Sequence, residues 1–353
     1  MENFIDHISI SNFKSIKKLK LYGLSRINLF IGKPNVGKSN ILEALGLFSL
    51  PYLELNKNKK LSSLIQIEHQ NELFFDGNSN IKIEVTTNIG NCTIKKNPEF
   101  TDPVSGAVEK LEIDFLEVVI NNLESDSHLF FDFDLGLNLK GITPFRKLPR
   151  EKQSNKWVNL KYYNFTKNIK LQNLHLAYLV PPNGTNLIQV IENNTTIKEE
   201  IKNLFKEYNL ELVFDRASQE LKITKPPQNG EIFLIPYSSI AETLQRIIFH
   251  KTAIASNKNS VLVFEEPEAH AFPAYISHIT HEIIDSTSNQ FILSTHSPYV
   301  LNDFLENAID ELSIFMVDYK NGETIVNKLT KEDLDDIYGY GIDLFTNYET
   351  FLK

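Results

Sequence analysis

The chain has 353 residues, 42 % hydrophobic and 23 % charged, which is enough for a sizeable core in one large domain or two. A net charge of −9 excludes a surface coated in basic residues, while leaving room for a local basic patch. The single cysteine, Cys92, excludes an internal disulfide, no apolar run approaches the ~18 residues that span a bilayer, and Met1-Glu2-Asn3-Phe4 is too polar for a signal peptide, so a cytoplasmic protein is expected.

Residues 4–31 alternate apolar and polar in two short runs, Ile8, Ile10, Phe13, Ile16 and then Leu19, Leu21, Leu24, which predicts a β-ribbon. Ile27, Leu29, Phe30 and Ile31 make a short apolar strand. Gly32-Lys33-Pro34-Asn35-Val36-Gly37-Lys38-Ser39 follows it and fits the phosphate-loop pattern G-x-x-x-x-G-K-[ST] at every fixed position. Ile41, Leu42, Leu45 and Phe48 then recur at helical spacing. Strand, glycine loop and helix in that order give the motif its physical context. Glycines let backbone N–H groups turn inward, and the helix N-terminus adds positive dipole where phosphates sit. Gly32, Asn35, Gly37 and Asn40 are expected to shape this nucleotide site, Lys38 to reach the β- and γ-phosphates, and Ser39 to ligate Mg²⁺. A guanine-reading Asn-Lys-x-Asp is missing, since Asn56-Lys57-Asn58-Lys59 lacks the acid, so ATP is expected.

Residues 51–80, polar and lysine-rich, read as surface loops or short helices. Ile81–Thr87, Leu111–Ile120 and His128–Leu139 read as strands of an antiparallel layer. Residues 146–170 carry eight Lys and Arg against one acid, with Trp157, Tyr162, Tyr163 and Phe165 interleaved. That composition suits DNA or RNA, through phosphate contact and base stacking. It equally suits a solvated linker with a few aromatics tucked into the core. Residues 187–208 read as an amphipathic helical stretch broken near Asn193-Asn194, and Leu212–Thr224 as a hairpin before the turn at Pro226–Gly230.

Ser239-x-x-Glu242 has the form of a capping box for a helix carrying Ile240, Leu244, Ile247, Ile248 and Ile254 on one face. Val261–Phe264 is a buried-strand signal that ends in Glu265 and Glu266, and 221 residues intervene between it and Ser39. One carboxylate would hold the Mg²⁺ shell and the next would polarise the attacking water, two tasks that phosphoryl transfer needs beside a phosphate loop. Phe291-Ile292-Leu293 is another short strand. Ser297-Pro298 after it is a helix start, with His296 left at the strand end, where a γ-phosphate could meet it. Asp132-Phe133-Asp134 reads as a solvated face. His278 and His281 lie one helical turn apart without a third zinc ligand.

These pieces resemble the ABC-type ATPases of the SMC, RecF and OLD (overcoming lysogenisation defect) group, and within it the stand-alone AAA-type members without a Toprim nuclease. The resemblance rests on Ile10-Ser11-Asn12-Phe13-Lys14-Ser15-Ile16, Gly37-Lys38-Ser39-Asn40, Pro182–Leu187, Glu266-Pro267-Glu268-Ala269-His270, Ser294-Thr295-His296-Ser297-Pro298 and Tyr338–Leu344. It implies an α/β P-loop NTPase with an ABC-type ATPase head, a mixed sheet core plus an antiparallel β layer, and an inserted helical/β lobe. Residues 1–175 and 231–353 would form the two parts of the head and 176–230 the lobe.

By the resemblance, Glu265 stands where the group usually has Asp, Glu266 matches the catalytic glutamate, and His296 matches the switch histidine. Ser238–Glu242 takes the place of the signature sequence, so Ser239 would reach the other subunit's γ-phosphate in a homodimer. Ile240 and Ala241 replace the signature glycines, and Gln153 and Gln172 are the candidates for a Q-loop glutamine. The group implies an ATPase, slow or partner-dependent, that dimerises around ATP and Mg²⁺ and regulates a separate effector protein in anti-phage or mobile-DNA defence. A DNA-repair clamp and a nucleotide sensor with negligible turnover are the competing readings.

Overall fold

The computed structural model describes residues 4–96, 100–101, 108–109, 115–123, 127–141, 158–206, 208–215, 218, 220–226 and 231–352. Two sheets organise them. The first is antiparallel and seven-stranded. It uses β1 (His7–Phe13), β2 (Ile16–Tyr22), β4 (Ile83–Thr87), β5 (Gly90–Lys96), β8 (Leu116–Asn122), β9 (Ser127–Phe133) and β10 (Leu139–Gly141), in the order β10-β9-β8-β5-β4-β1-β2. A two-stranded ribbon, β6 (Phe100–Thr101) with β7 (Val108–Glu109), stands apart from it.

The second sheet has six strands in the order β11-β15-β16-β3-β17-β18. They are β3 (Ile27–Ile31), β11 (Leu160–Tyr163), β15 (Val261–Glu265), β16 (Gln290–Thr295), β17 (Leu312–Lys320) and β18 (Glu323–Lys328). All are parallel except β18, which turns back on β17 through Asn321-Gly322, both at positive φ as a tight hairpin turn requires. The apolar runs of β15, β16 and β3 lack alternation because both faces of this sheet are covered. Val261 and Val263 join one core, together with Ile41, Leu42 and Leu45 of α1 (Lys38–Gly46) and Ile8 and Ile10 of β1. Leu262 and Phe264 join the other, under α4 (Glu242–Ala255), α5 (Pro273–Asp285), α6 (Pro298–Asn307) and α7 (Lys331–Tyr340). The helix that begins at the phosphate loop is therefore clamped between the two sheets.

The break at Asn193-Asn194 separates α2 (Leu187–Asn193) from α3 (Thr195–Lys206). Both helices share the core of α4, and the hairpin follows as β12 (Glu211–Asp215) and β13 (Glu220–Thr224), extended by β14 (Leu234–Pro236). Residues 51–80 form short 3-10 turns, but Leu61, Leu64, Ile65, Leu73 and Phe74 are buried, so the segment roofs the first core rather than lying on the surface.

Part of the basic-aromatic stretch needs correction. Residues 146–157, with Gln153 and Trp157, lie outside the described residues. Residues 160–163 are β11, an edge strand of the parallel sheet, with Lys161, Tyr162 and Tyr163 all buried. Rings packed in the core cannot stack on nucleic-acid bases. Lys161 is tied to Asn257 and sits over the Tyr178 ring, and burial holds its ammonium down to about 8.

Candidate functional site

The site lies at the C-terminal ends of three adjacent parallel strands, where open α/β sheets place their ligands. β3 feeds the phosphate loop, β16 ends at Thr295 just before His296, and β15 ends at Glu265. Register pairs Glu265 with Ser294 and Thr295 with Ile31. Glu265 and the start of the loop are thus two strand spacings apart, roughly 10 Å, with His296 at the end of the strand between them.

The loop conformation depends on its glycines. Gly37 caps α1 at φ 101° and Asn35 stands at φ 63°. A Cβ on Gly37 would lie 2.1 Å from the Thr324 hydroxyl oxygen, and one on Gly32 would lie 2.3 Å from the Val317 carbonyl. Thr324 donates to the Val36 carbonyl at 3.0 Å and lies 2.6 Å from the Ser15 hydroxyl, to which the Asn40 amide also donates. Asn40 therefore braces the loop against the β1–β2 turn. Tyr348, bonded to the Val317 carbonyl, lies beneath Lys33. Thr324 and Tyr348 escaped the sequence reading; the Asn-Gly hairpin signal at 321–322 was the available clue to the strand that carries Thr324.

Lys38 is buried, and its ammonium donates to the Gly32 and Lys33 carbonyls at 2.9 Å each, which centres it over the loop. Burial lowers its pKa, and the charges of Glu266 and Glu265 oppose that shift. Ser39 directly follows Lys38 on the first turn of α1.

Glu266 adopts φ 41°, a left-handed conformation that costs a residue with a Cβ about 1–3 kcal/mol. Its N–H donates to the Ser294 carbonyl at 3.1 Å, so pairing with β16 maintains the strained turn. Glu266 Oε1 lies 3.3 Å from His296 Nε2, and both side chains are accessible, at 41 % and 36 % exposure. Burial and the Lys38 charge hold the His296 pKa below its ordinary value, against the pull of Glu266.

Glu265 Oε2 accepts from the Tyr162 hydroxyl at 3.1 Å. Burial raises the Tyr162 pKa, so that hydroxyl remains a donor at any physiological pH. Mg²⁺ is held by one or two carboxylates together with substrate phosphates and waters, rather than by an all-protein cage. The Ser39 hydroxyl and the braced Glu265 carboxylate are a donor set of that kind, and among the described residues no group of three or more acidic, His or Cys side chains forms a cage.

Two expected residues, Ser239 and Gln172, fall outside this centre. Ser239 is exposed in a 3-10 turn, Tyr237–Ser239, and makes no capping box. The N-cap of α4 is Ala241, without a side-chain cap, and Glu242 pairs forward with Arg246 at 3.1 Å. Gln245, one turn along, secures the segment instead by donating to the Ile240 carbonyl at 2.9 Å. Gln172 lines a cavity of about 370 Å³ beneath Tyr237 and Ser238, not the phosphate loop. Asp134 is taken up by Lys140 and Asn138 in the turn after β9.

The family described as "AAA domain, putative AbiEii toxin, Type IV TA system" matches residues 27–302, from the first residue of β3 into α6. The chain belongs to this family. It is an AAA-domain ATPase, and the match takes in both halves of the site across the long interval between them.

Among curated relatives, an "ATP/GTP phosphatase" of Helicobacter pylori is 21 % identical over 340 residues, 87 % of this chain and 89 % of the relative. The "DNA replication and repair protein RecF" of Lactobacillus acidophilus is 37 % identical over 60 residues, 17 % of this chain and 15 % of that one. Among solved structures, an Smc head domain with an extended coiled coil, bound to the C-terminal domain of ScpA and derived from Pyrococcus furiosus, gives a TM-score of 0.49. It is 14 % identical and covers 96 % of this chain and 99 % of that one. The SmcHead bound to the C-winged helix domain of ScpA gives 0.48 at 18 % identity, covering 93 % and 99 %.

Proposed function

We propose that this AAA-domain ATPase hydrolyses ATP at the phosphate loop, completes its site with a second copy of itself, and uses the change of nucleotide state to hold or release a separate effector protein in defence against phage or mobile DNA. The observation that carries the catalytic part is the contact between Glu266 and His296, formed at neighbouring strand ends beside the Lys38 loop.

The loop N–H groups, the α1 N-terminus and Lys38 would take the β- and γ-phosphates. Ser39 and Glu265 would hold Mg²⁺, which when bound supplies charge neutralisation at the phosphate oxygens. Glu266 would accept a proton from water as its oxygen attacks the γ-phosphorus and the bond to the ADP oxygen breaks. His296, in contact with Glu266, would meet the γ-phosphate and register its presence. Asn35 and Asn40 would shape the loop. The relative named an ATP/GTP phosphatase supports hydrolysis, and ATP is the substrate favoured by the missing guanine-reading sequence.

The dimer is supported by Ser239. It is exposed, in the place that the signature sequence takes in the resembled group. The effector is proposed because the motifs found in the chain supply a nucleotide switch without recognisable effector chemistry. The two parts of the head would be residues 1–175 and 231–353, with 176–230 as the inserted lobe.

Turnover and light scattering test this reading together. Glu266→Gln should bind ATP, lose most turnover and associate more tightly with Mg-ATP; Lys38→Ala should lose ATP binding; Ser239→Arg should block ATP-dependent association without unfolding. Wild-type hydrolysis by Glu266→Gln would sink the base assignment. A monomer at all concentrations, with or without Mg-ATP, would sink the composite site. Turnover stimulated by DNA would favour the clamp reading.

A further inference from the structure

Glu268 is a buried carboxylate to which the mechanism above gives no task. It lies two residues beyond Glu266 in the turn between β15 and α5, and is 7 % exposed. Oε1 accepts from the Thr295 hydroxyl at 2.5 Å and from the His296 N–H at 3.2 Å. Oε2 is buried with no hydrogen-bond partner among the described residues. A carboxylate removed from water without a cationic partner is costly, and an apolar side chain would fill the same space without that cost. The two donors indicate what offsets it.

Thr295 and His296 are consecutive at the end of β16. The Thr295 hydroxyl oxygen in turn accepts from the Ser297 N–H at 3.0 Å. One carboxylate thus fixes the backbone on both sides of the His296 side chain. The neighbouring tie, Glu266 N–H to the Ser294 carbonyl, runs between the same two strand ends. Among the described residues the His296 ring has no polar partner besides Glu266 and is 36 % exposed, so the backbone beneath it has a large part in setting where the ring points.

We propose that Glu268 is a positioning residue: it touches no nucleotide, and its Oε1 aims His296 at Glu266 and at the γ-phosphate by holding Thr295 and the His296 N–H. This rests on the proposed role of His296. The role requires an acceptor oxygen at Oε1 rather than a negative charge.

The test is steady-state ATP hydrolysis of the full chain by Glu268→Ala and Glu268→Gln, each alone and in a His296→Ala background, with thermal melts alongside. Glu268→Ala should lower kcat about tenfold or more with KM for ATP within about twofold, since the phosphate loop and Lys38, which would carry most of the ATP binding, are untouched. Glu268→Gln keeps the acceptor oxygen. It should retain kcat within about threefold even if it melts earlier, because its amide places a donor where Oε2 has no partner. In the His296→Ala background, Glu268→Ala should change kcat by less than about twofold, because the two residues act as one unit. Thr295→Val, which keeps the branched shape and removes the hydroxyl, should reproduce the fall in kcat if Glu268→Ala fails to fold.

A full additional loss on top of His296→Ala would overturn the positioning role while leaving His296 as the switch. An unchanged kcat in His296→Ala would sink the reading of His296 and this proposal with it. A Glu268→Gln enzyme as slow as Glu268→Ala would show that the charge, not the acceptor, is what matters.

Discussion

The Tyr162 hydroxyl donates to Glu265 Oε2 at 3.1 Å, joining the edge strand of the parallel sheet to the acidic end of β15. The ring behind that hydroxyl is fully buried and packs against α1 at Gly46, where a Cβ would come within 3.2 Å of it. A side chain locked at its base and bonded at its tip leaves Glu265 little freedom to rotate. This matters more for Glu than for the shorter Asp, because Glu has one more torsion to fix.

Tyr162→Phe should therefore keep the fold and disturb the metal. Loss of an outer hydrogen bond to a metal-binding carboxylate commonly weakens metal affinity by about 10–100-fold, and the Mg²⁺ concentration for half-maximal hydrolysis should rise toward that range. The melting temperature should move little, since the deleted atom contributes about 1 kcal/mol. A Mg²⁺ titration of ATP hydrolysis checks it; an unchanged half-maximal concentration would show that Tyr162 does not orient Glu265.

Lys14 makes the second prediction. Its ammonium is bonded to Glu43 on α1 and to the Gln66 carbonyl, and Glu43 is only 1 % exposed. Burial drives the Glu43 pKa up while Lys14 pulls it back. Lys14→Met should destabilise the protein by about 3–5 kcal/mol because it strands a buried carboxylate. Lys14→Met with Glu43→Leu should recover most of that loss, since a buried pair replaced by apolar groups is often nearly neutral. Urea unfolding of the two variants decides between a stranded charge and simple loss of packing.

The third prediction concerns acid. His250 on α4 is buried, its Nδ1 lies 2.9 Å from the Arg246 carbonyl, and Phe249 and Phe264 meet its ring edge-on. Burial pushes its pKa down to about 3. The unfolded chain takes up a proton at this residue near pH 6.5, while the native state refuses it until about pH 3. The contribution is thus fully present above pH 6.5. It is lost at about 1.4 kcal/mol per pH unit as pH falls toward 3. His250→Leu should flatten that part of the stability profile, read as the dependence of the urea midpoint on pH between 6.5 and 4. Equal slopes in the two proteins would mean that His250 is protonated in the native state.

Local sequence determined the parts of this protein whose physics is local. Gly32–Ser39 is recognisable because a phosphate loop needs glycines at fixed spacing between a strand and a helix. Val261–Phe264 is recognisable because a strand covered on both faces has no polar alternation. The break at Asn193-Asn194 and the hairpin after it follow from short-range turn and helix chemistry in the same way. His296 could be singled out at a strand end, beyond what the helix start at Ser297-Pro298 explains.

Tertiary structure decided which of these segments meet, and what else meets with them. Leu160–Tyr163 looks like part of a basic-aromatic tract until it pairs with Val261–Phe264, about a hundred residues later, and becomes core. Glu268 looks like one more acid in a charged turn until Thr295 closes on it. Ser239 has the spacing of a capping box, but the helix starts beyond it and Glu242 turns to Arg246. Thr324 reaches Gly37 only because the β17–β18 hairpin folds back beside β3. Periodicity records which face of an element is apolar. It carries no record of which strand lies alongside, because that choice is made by pairing and burial across the whole chain.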